Sequence, residues 1–218
     1  MITPGLAIIM TTEYLKDPAA ITAASFAIIE REAALDDLPA RMRPVAARMI
    51  HTCGIISLVE HLAWSQGAAE QGSAALAAGA PVLTDVSMVA AGITPARLPA
   101  DNRVICTLGE PGVTELAKIA ATTRTAAALD HWAPHMDGAI VAIGNAPTAL
   151  FRLLEMISAG APRPALVVAT PPGFVGAAES KDALIANDVG LPYIAVTGRM
   201  GGSALAAATV NAMAKEGL

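Results

Sequence analysis

Short apolar runs alternate with amphipathic stretches along most of this chain, and the junctions between them are rich in glycine and proline. Residues 81–84, 104–108, 139–143, 165–169 and 193–196 read as strands. Helical patterns follow them at 87–91, from Pro111 to about Trp132, and at 147–158, 177–186 and 204–215. Strands separated by helices imply parallel pairing through right-handed crossovers. The five junctions are Thr84-Asp85, Gly109-Glu110-Pro111-Gly112, the stretch 144–152, the turn 171–176 and the turn 198–203. In a parallel sheet the strand C-termini share one edge, and ligands bind in the crevice there. These turns therefore predict a broad pocket lined by backbone.

The first third of the chain has a different texture. Asp17 before Pro18 is an N-cap and first-turn pair that opens a helix to about Ala34, with Ile21, Ala24, Ser25 and Ile28 on its inner face. A second helix is expected over 44–51, with Arg41, Arg43 and Arg48 on its polar side. Residues 53–65 fit a strand and a helix equally. Residues 67–78 form an alanine-rich helix ended by Gly79. The expectation is one α/β domain over 1–218, a mainly parallel sheet flanked by helices in a Rossmann-like three-layer sandwich. Within it, 1–65 is a helical prelude placed to cover the pocket or a partner subunit, and 80–218 is the run of regular βα units.

Composition narrows the function classes. The 218 residues are 54% hydrophobic and only 3% aromatic, an excess carried mostly by alanine, which suits helices packed closely on a sheet. No apolar run reaches the ~18 residues needed to cross a bilayer. Residues 1–5 lack a basic region ahead of an apolar stretch, so they do not read as a secretory signal. With Cys53 and Cys106 the only cysteines, a disulfide framework is unsupported, and the cytoplasm is the default compartment. The formal charge of −5, with no basic block, argues against nucleic acid as a partner. An anionic small molecule needs only a local cluster of donors.

Several familiar chemistries are missing. The phosphate-loop pattern is absent, and Gly173–Gly176 and Gly198–Gly202 have the wrong spacing for a dinucleotide fingerprint. No Gly-x-Ser-x-Gly elbow occurs, and no zinc pattern joins the four histidines to the two cysteines. What remains are amide-rich turns and helix N-termini, which suit carboxylates as well as phosphates.

His51 sits where the second helix ends, in Arg48-Met49-Ile50-His51-Thr52-Cys53-Gly54. A histidine there could donate a proton near neutral pH, or simply satisfy the last carbonyls of the helix, and the residues alone favour the second role. His61, His131 and His135 read as surface residues at helix ends. Arg124 lies in Thr122-Thr123-Arg124-Thr125, deep in an apolar helical run, and calls for a carboxylate from the protein or from a ligand, the protein being favoured. Ser180 and Lys181 could reach a ligand or lie on a solvated helix face. Arg199, in the turn after the last strand, is better placed to face the crevice.

Taken together, four segments resemble the precorrin-8X methylmutase family: 48–54, 144–151, 173–181 and 198–203. The likeness extends to Ala80-Pro81-Val82-Leu83-Thr84-Asp85 and to 122–125, so it spans nearly the whole chain. The resemblance implies an isomerase of cobalamin biosynthesis that moves a methyl group from carbon 11 to carbon 12 of the corrin ring and yields hydrogenobyrinic acid. It implies a homodimeric α/β sandwich that uses no metal, nucleotide or redox cofactor. It makes His51 the catalytic proton donor, acting on the ring C nitrogen during a [1,5]-sigmatropic shift. The tetrapyrrole substrate carries acetate and propionate arms, for which the candidate partners are Ser25, Arg48, Thr52, Asp85, Arg124, Asn145, Thr148, Lys181, Arg199 and Ser203, together with the amides of 145–148 and 201–203. Two positions depart from the family pattern. Pro172 replaces a small aliphatic residue, and Met200 stands where a basic residue is frequent. The alternatives are the same shift on a cobalt-containing substrate, a non-catalytic tetrapyrrole carrier, and a nucleotide-binding enzyme.

Overall fold

The computed structural model describes residues 14–214. The elements in chain order are α1 (Pro18–Glu32), α2 (Met42–Cys53), β1 (Leu62–Trp64), α3 (Ala68–Ala77), β2 (Val82–Thr84), α4 (Ser87–Gly92), β3 (Val104–Ile105), α5 (Val113–Ile119), α6 (Arg124–Ala128), β4 (Ile140–Ile143), α7 (Pro147–Ser158), β5 (Leu166–Ala169), α8 (Ala177–Ile185), β6 (Tyr193–Val196) and α9 (Ser203–Ala214). Residues 1–5 and Lys215, on which two of the sequence expectations fall, lie outside the described residues.

The strands form one sheet in the order β1, β6, β5, β4, β2, β3. All neighbours are parallel except β1 and β6, which pair antiparallel with Leu62 opposite Val196. The central strands are covered on both faces, which is why they read as continuous apolar runs rather than alternating ones. Ile140, Ala142, Leu166, Val168, Ile194 and Val196 face one core, with α1 to α4 and α9. Val141, Ile143, Val167, Ala169 and Ala195 face the other, with α7 and α8. The α/β architecture with a mainly parallel sheet is the one the sequence predicts.

α9 is buried on nearly every side. It packs on β4 and β5, and α2, α3 and α4 close around it. Only small side chains permit so close an approach, and this accounts for the run Ala206-Ala207-Ala208. α2 is therefore a second helical layer over α9, and the prelude ends in a strand, β1.

Two local expectations differ from the structure, and one stretch left open resolves. Asp17 does cap α1, accepting from the Ala20 amide at 2.7 Å, but the buried face carries Phe26 and Ile29. Ser25 is half-buried, while Ile21, Ala24 and Ile28 point outward. The ambiguous stretch 53–65 resolves into a 3₁₀ turn, Ile56–His61, and then β1. The long helix expected from Pro111 to Trp132 is broken. α5 ends at Ile119, Ala121 takes a left-handed φ of 47°, and Thr123 caps α6 by accepting from the Ala126 amide. Arg124 consequently opens a helix and is exposed.

Candidate functional site

β2, β4, β5 and β6 deliver their C-terminal turns to one edge. Gly144, at the end of β4, must be glycine: a Cβ there would lie 2.8 Å from the Ser203 Cα and from Val89. The turn after β4 is thus pressed against the start of α9. Asp85, at the end of β2, holds it in place. Its two carboxylate oxygens accept from the amides of Gly144 (3.0 Å), Asn145 (2.9 Å) and Ala146 (2.9 Å). Burial pushes the Asp85 carboxyl up, and the three amide donors pull it back only in part. Two of the amides named as substrate donors, those of Asn145 and Ala146, are therefore occupied from inside. Asp85 supports the turn from below, and the Asn145 and Thr148 side chains remain exposed above it.

The turns after β5 and β6 are locked together. The Gly202 amide donates to the Thr170 carbonyl at 2.7 Å, the Thr170 hydroxyl to the Gly202 carbonyl at 3.1 Å, and the Gly173 amide to the Arg199 carbonyl at 3.1 Å. A Cβ on Gly201 would sit 2.1 Å from the Thr170 oxygen, so no other residue fits. Lys181 is wholly buried behind this pair of turns, with its Nζ donating to the Met200 carbonyl at 2.8 Å. Burial lowers its pKa to about 8. Ser180 is buried as well, so neither residue lies on a solvated face. Ser203 is likewise internal. Met200 meets Lys181 through its backbone, so the departure of its side chain leaves that bond available.

α2 brings His51 to the same end. Pro44 and Val45 share a hollow with Ala212 and Met213, so the start of α2 lies against the end of α9 and the two helices run antiparallel. The last turn of α2 therefore points toward Ser203 and the strand C-termini. Gly54, left-handed at φ 71°, closes the helix by bonding to the Ile50 carbonyl. His51 does not satisfy the last carbonyls. Among the described residues its imidazole is exposed without a hydrogen bond, and it stacks on Phe26 at 4.8 Å between centroids with the planes 20° apart. Phe26 also lines a cleft of about 530 Å³ between α1 and α2, shared with Glu30, Asp36, Arg43 and Arg48. Burial, aided by the charge of Arg97, lowers the pKa of Arg48. Thr52 is exposed, and its hydroxyl donates to the Arg48 carbonyl.

On the far side of the edge, the Thr123 and Thr148 hydroxyls lie 2.8 Å apart and tie α6 to α7. Arg124 beside them donates to the Leu108 carbonyl at 3.4 Å. No carboxylate pairs with it among the described residues. The outward-facing candidates are thus His51, Thr52, Arg124, Asn145, Thr148 and Arg199, while Asp85, Lys181 and Ser203 form the support beneath. His61, His131 and His135 end 3₁₀ turns and are half-buried rather than on the surface. Sequence reasoning missed Phe26, which sets the face of His51, and the exposed pair Phe174-Val175. Two large apolar residues between glycines of a turn were the available signal for that pair. Cys53 and Cys106 are both free thiols. Among the described residues, no helix is long and apolar enough to cross a membrane.

The chain is similar to known proteins over nearly its whole length. Residues 20–216 match the family model for precorrin-8X methylmutase. The chain is 56% identical over 204 residues to a precorrin-8X methylmutase of Pseudomonas aeruginosa, covering 94% of this chain and 98% of the relative. It is 35% identical over 197 residues to a cobalt-precorrin-8 methylmutase of Priestia megaterium, covering 90% and 87%. A crystal structure of a precorrin-8X methylmutase from Thermus thermophilus superposes with a TM-score of 0.81 at 41% identity, covering 89% of this chain and 94% of that one.

Proposed function

The chain belongs to the precorrin-8X methylmutase family, isomerases of cobalamin biosynthesis, and from that premise we propose that it converts precorrin-8X to hydrogenobyrinic acid by moving a methyl group from carbon 11 to carbon 12. The observation that carries this reading is the 56% identity over nearly the full length of a precorrin-8X methylmutase. The cobalt-precorrin-8 enzymes stand further off, at 32–36% identity, which favours the metal-free substrate.

His51 is the proton donor. Its ring is held flat against Phe26 and presents its edge to solvent at the strand C-terminal end, so an imidazolium N–H can reach the ring C nitrogen of a macrocycle lying across that edge. In a methyl shift one carbon–carbon bond breaks at carbon 11 as another forms at carbon 12. No atom is gained, so the proton lent to the nitrogen is returned at the end. A positioned acid contributes on the order of 10²–10⁴-fold, and preorganised binding supplies the remainder. Arg124, Arg199, Asn145 and Thr148 hold the carboxylate arms from the outer rim, with Arg48 and Thr52 beside the acid. The exposed Ile21 and Ile28 on the outward face of α1 support a homodimer formed through that helix, and the cytoplasm is the compartment proposed for it.

The test is the visible spectrum of the protein incubated with precorrin-8X and followed in time. Conversion to the hydrogenobyrinic acid spectrum is expected. His51→Ala should lower the rate about 10²-fold or more while binding persists. A bound but unchanged spectrum would point to the cobalt-containing substrate or to a carrier, and absence of binding would overturn the reading.

A further inference from the structure

Phe174 and Val175 form the tip of the turn after β5 and are 82% and 90% exposed. Consecutive apolar side chains this exposed are ordinarily found on flexible loops or at contacts. This tip is not loose. The backbone of its turn is bonded to the turn after β6 by the Gly173 amide on the Arg199 carbonyl and by the Thr170–Gly202 pair, with Gly201 wedged against Thr170 and Lys181 bonded beneath Met200. The Arg199 guanidinium rests 5.3 Å from the centre of the Phe174 ring. A rigid double turn thus displays an aromatic plane, an aliphatic neighbour and a cation side by side, on the edge where the strands end.

We infer that Phe174 and Val175 form an apolar platform for the macrocycle of the substrate, with Arg199 beside them receiving one of its carboxylate arms. This inference rests on the proposed function and adds residues that contact the substrate away from the acid. The ligand matches the surface: a broad conjugated ring system with anionic arms presents apolar area and negative charge a few ångströms apart, as the platform presents apolar area and positive charge. A second copy of the chain fits less well. An aromatic side chain buries about 150–250 Å², whereas each partner in a stable dimer gives up roughly 800 Å². Because the platform is already rigid, binding forfeits little conformational freedom there.

The experiment titrates the wild type, Phe174→Ala, Val175→Ala and Arg199→Gln with hydrogenobyrinic acid by visible spectroscopy, and measures solution mass and the denaturation midpoint of each. Phe174→Ala is expected to weaken binding about tenfold, with mass and midpoint unchanged, and Arg199→Gln to weaken it as well and to make it less dependent on salt than in the wild type. Wild-type affinity in Phe174→Ala would overturn the inference, as would a loss of affinity that accompanies a fall in mass, since the tip would then serve a subunit contact. A wild type that neither binds nor converts a corrinoid would sink the functional reading itself. A wild type that turns over precorrin-8X while Phe174→Ala binds equally well would sink only the platform.

Discussion

The Nζ of Lys181 donates a 2.8 Å hydrogen bond to the carbonyl oxygen of Met200, and no part of Lys181 is exposed. An ammonium group in that position is costly to desolvate, which is why its pKa falls from 10.5 to about 8. Between those values the unfolded chain binds more protons than the folded one, so the contribution of Lys181 to stability rises with pH across that window. Denaturant unfolding of the wild type and of Lys181→Met, compared from about pH 7 to about pH 10, should show the difference shifting in favour of the wild type as pH rises. A constant difference would mean the amine is not desolvated.

Asp85 reaches across the sequence to three amides at Gly144, Asn145 and Ala146. Asp85→Ala leaves those N–H groups without an acceptor, and the expected loss of stability is about 3 kcal/mol. The wild-type carboxyl is raised rather than lowered, so the folded state keeps its proton to higher pH and this group favours the fold as pH falls. Chemical denaturation of the variant at neutral and at mildly acidic pH measures both effects.

Arg124 gives the opposite expectation. It is exposed and its hydrogen bond is to a single carbonyl. Arg124→Ala should change the unfolding free energy by no more than about 0.5 kcal/mol while weakening corrinoid binding about tenfold, since a charge-assisted contact to a carboxylate arm is lost. A large stability loss with unchanged binding would make it a structural residue.

Ala121 holds a φ of 47° between α5 and α6, where a Cβ is crowded. Ala121→Gly removes that crowding, and a gain of about 1 kcal/mol is expected, read as a rise of roughly 2–4 °C in the melting temperature. No gain would mean that the greater freedom of glycine in the unfolded chain offsets the relieved strain.

The alternation of strands and helices, the Asp17–Pro18 start, the span of α7 and the glycine turns were all legible in the sequence, because each depends on burial periodicity or on backbone preferences that act over a few residues. The motifs that carry the family resemblance were legible for the same reason, being contiguous. The remainder depended on groups far apart in the chain. Within 111–132 the one local mark of a break is Thr122-Thr123, with Thr123 capping α6; the left-handed Ala121 before it, which beats alanine's helix preference, is settled only where α6 packs against α7. β1 exists only because β6 offers an antiparallel edge. Asp85 and Lys181 looked like polar residues beside a crevice. Only the tertiary structure put their charges beneath it, against amides 59 to 61 residues away and a carbonyl 19 residues away. A buried charge is tolerated where distant backbone groups satisfy it, and the chain has to fold before those groups converge.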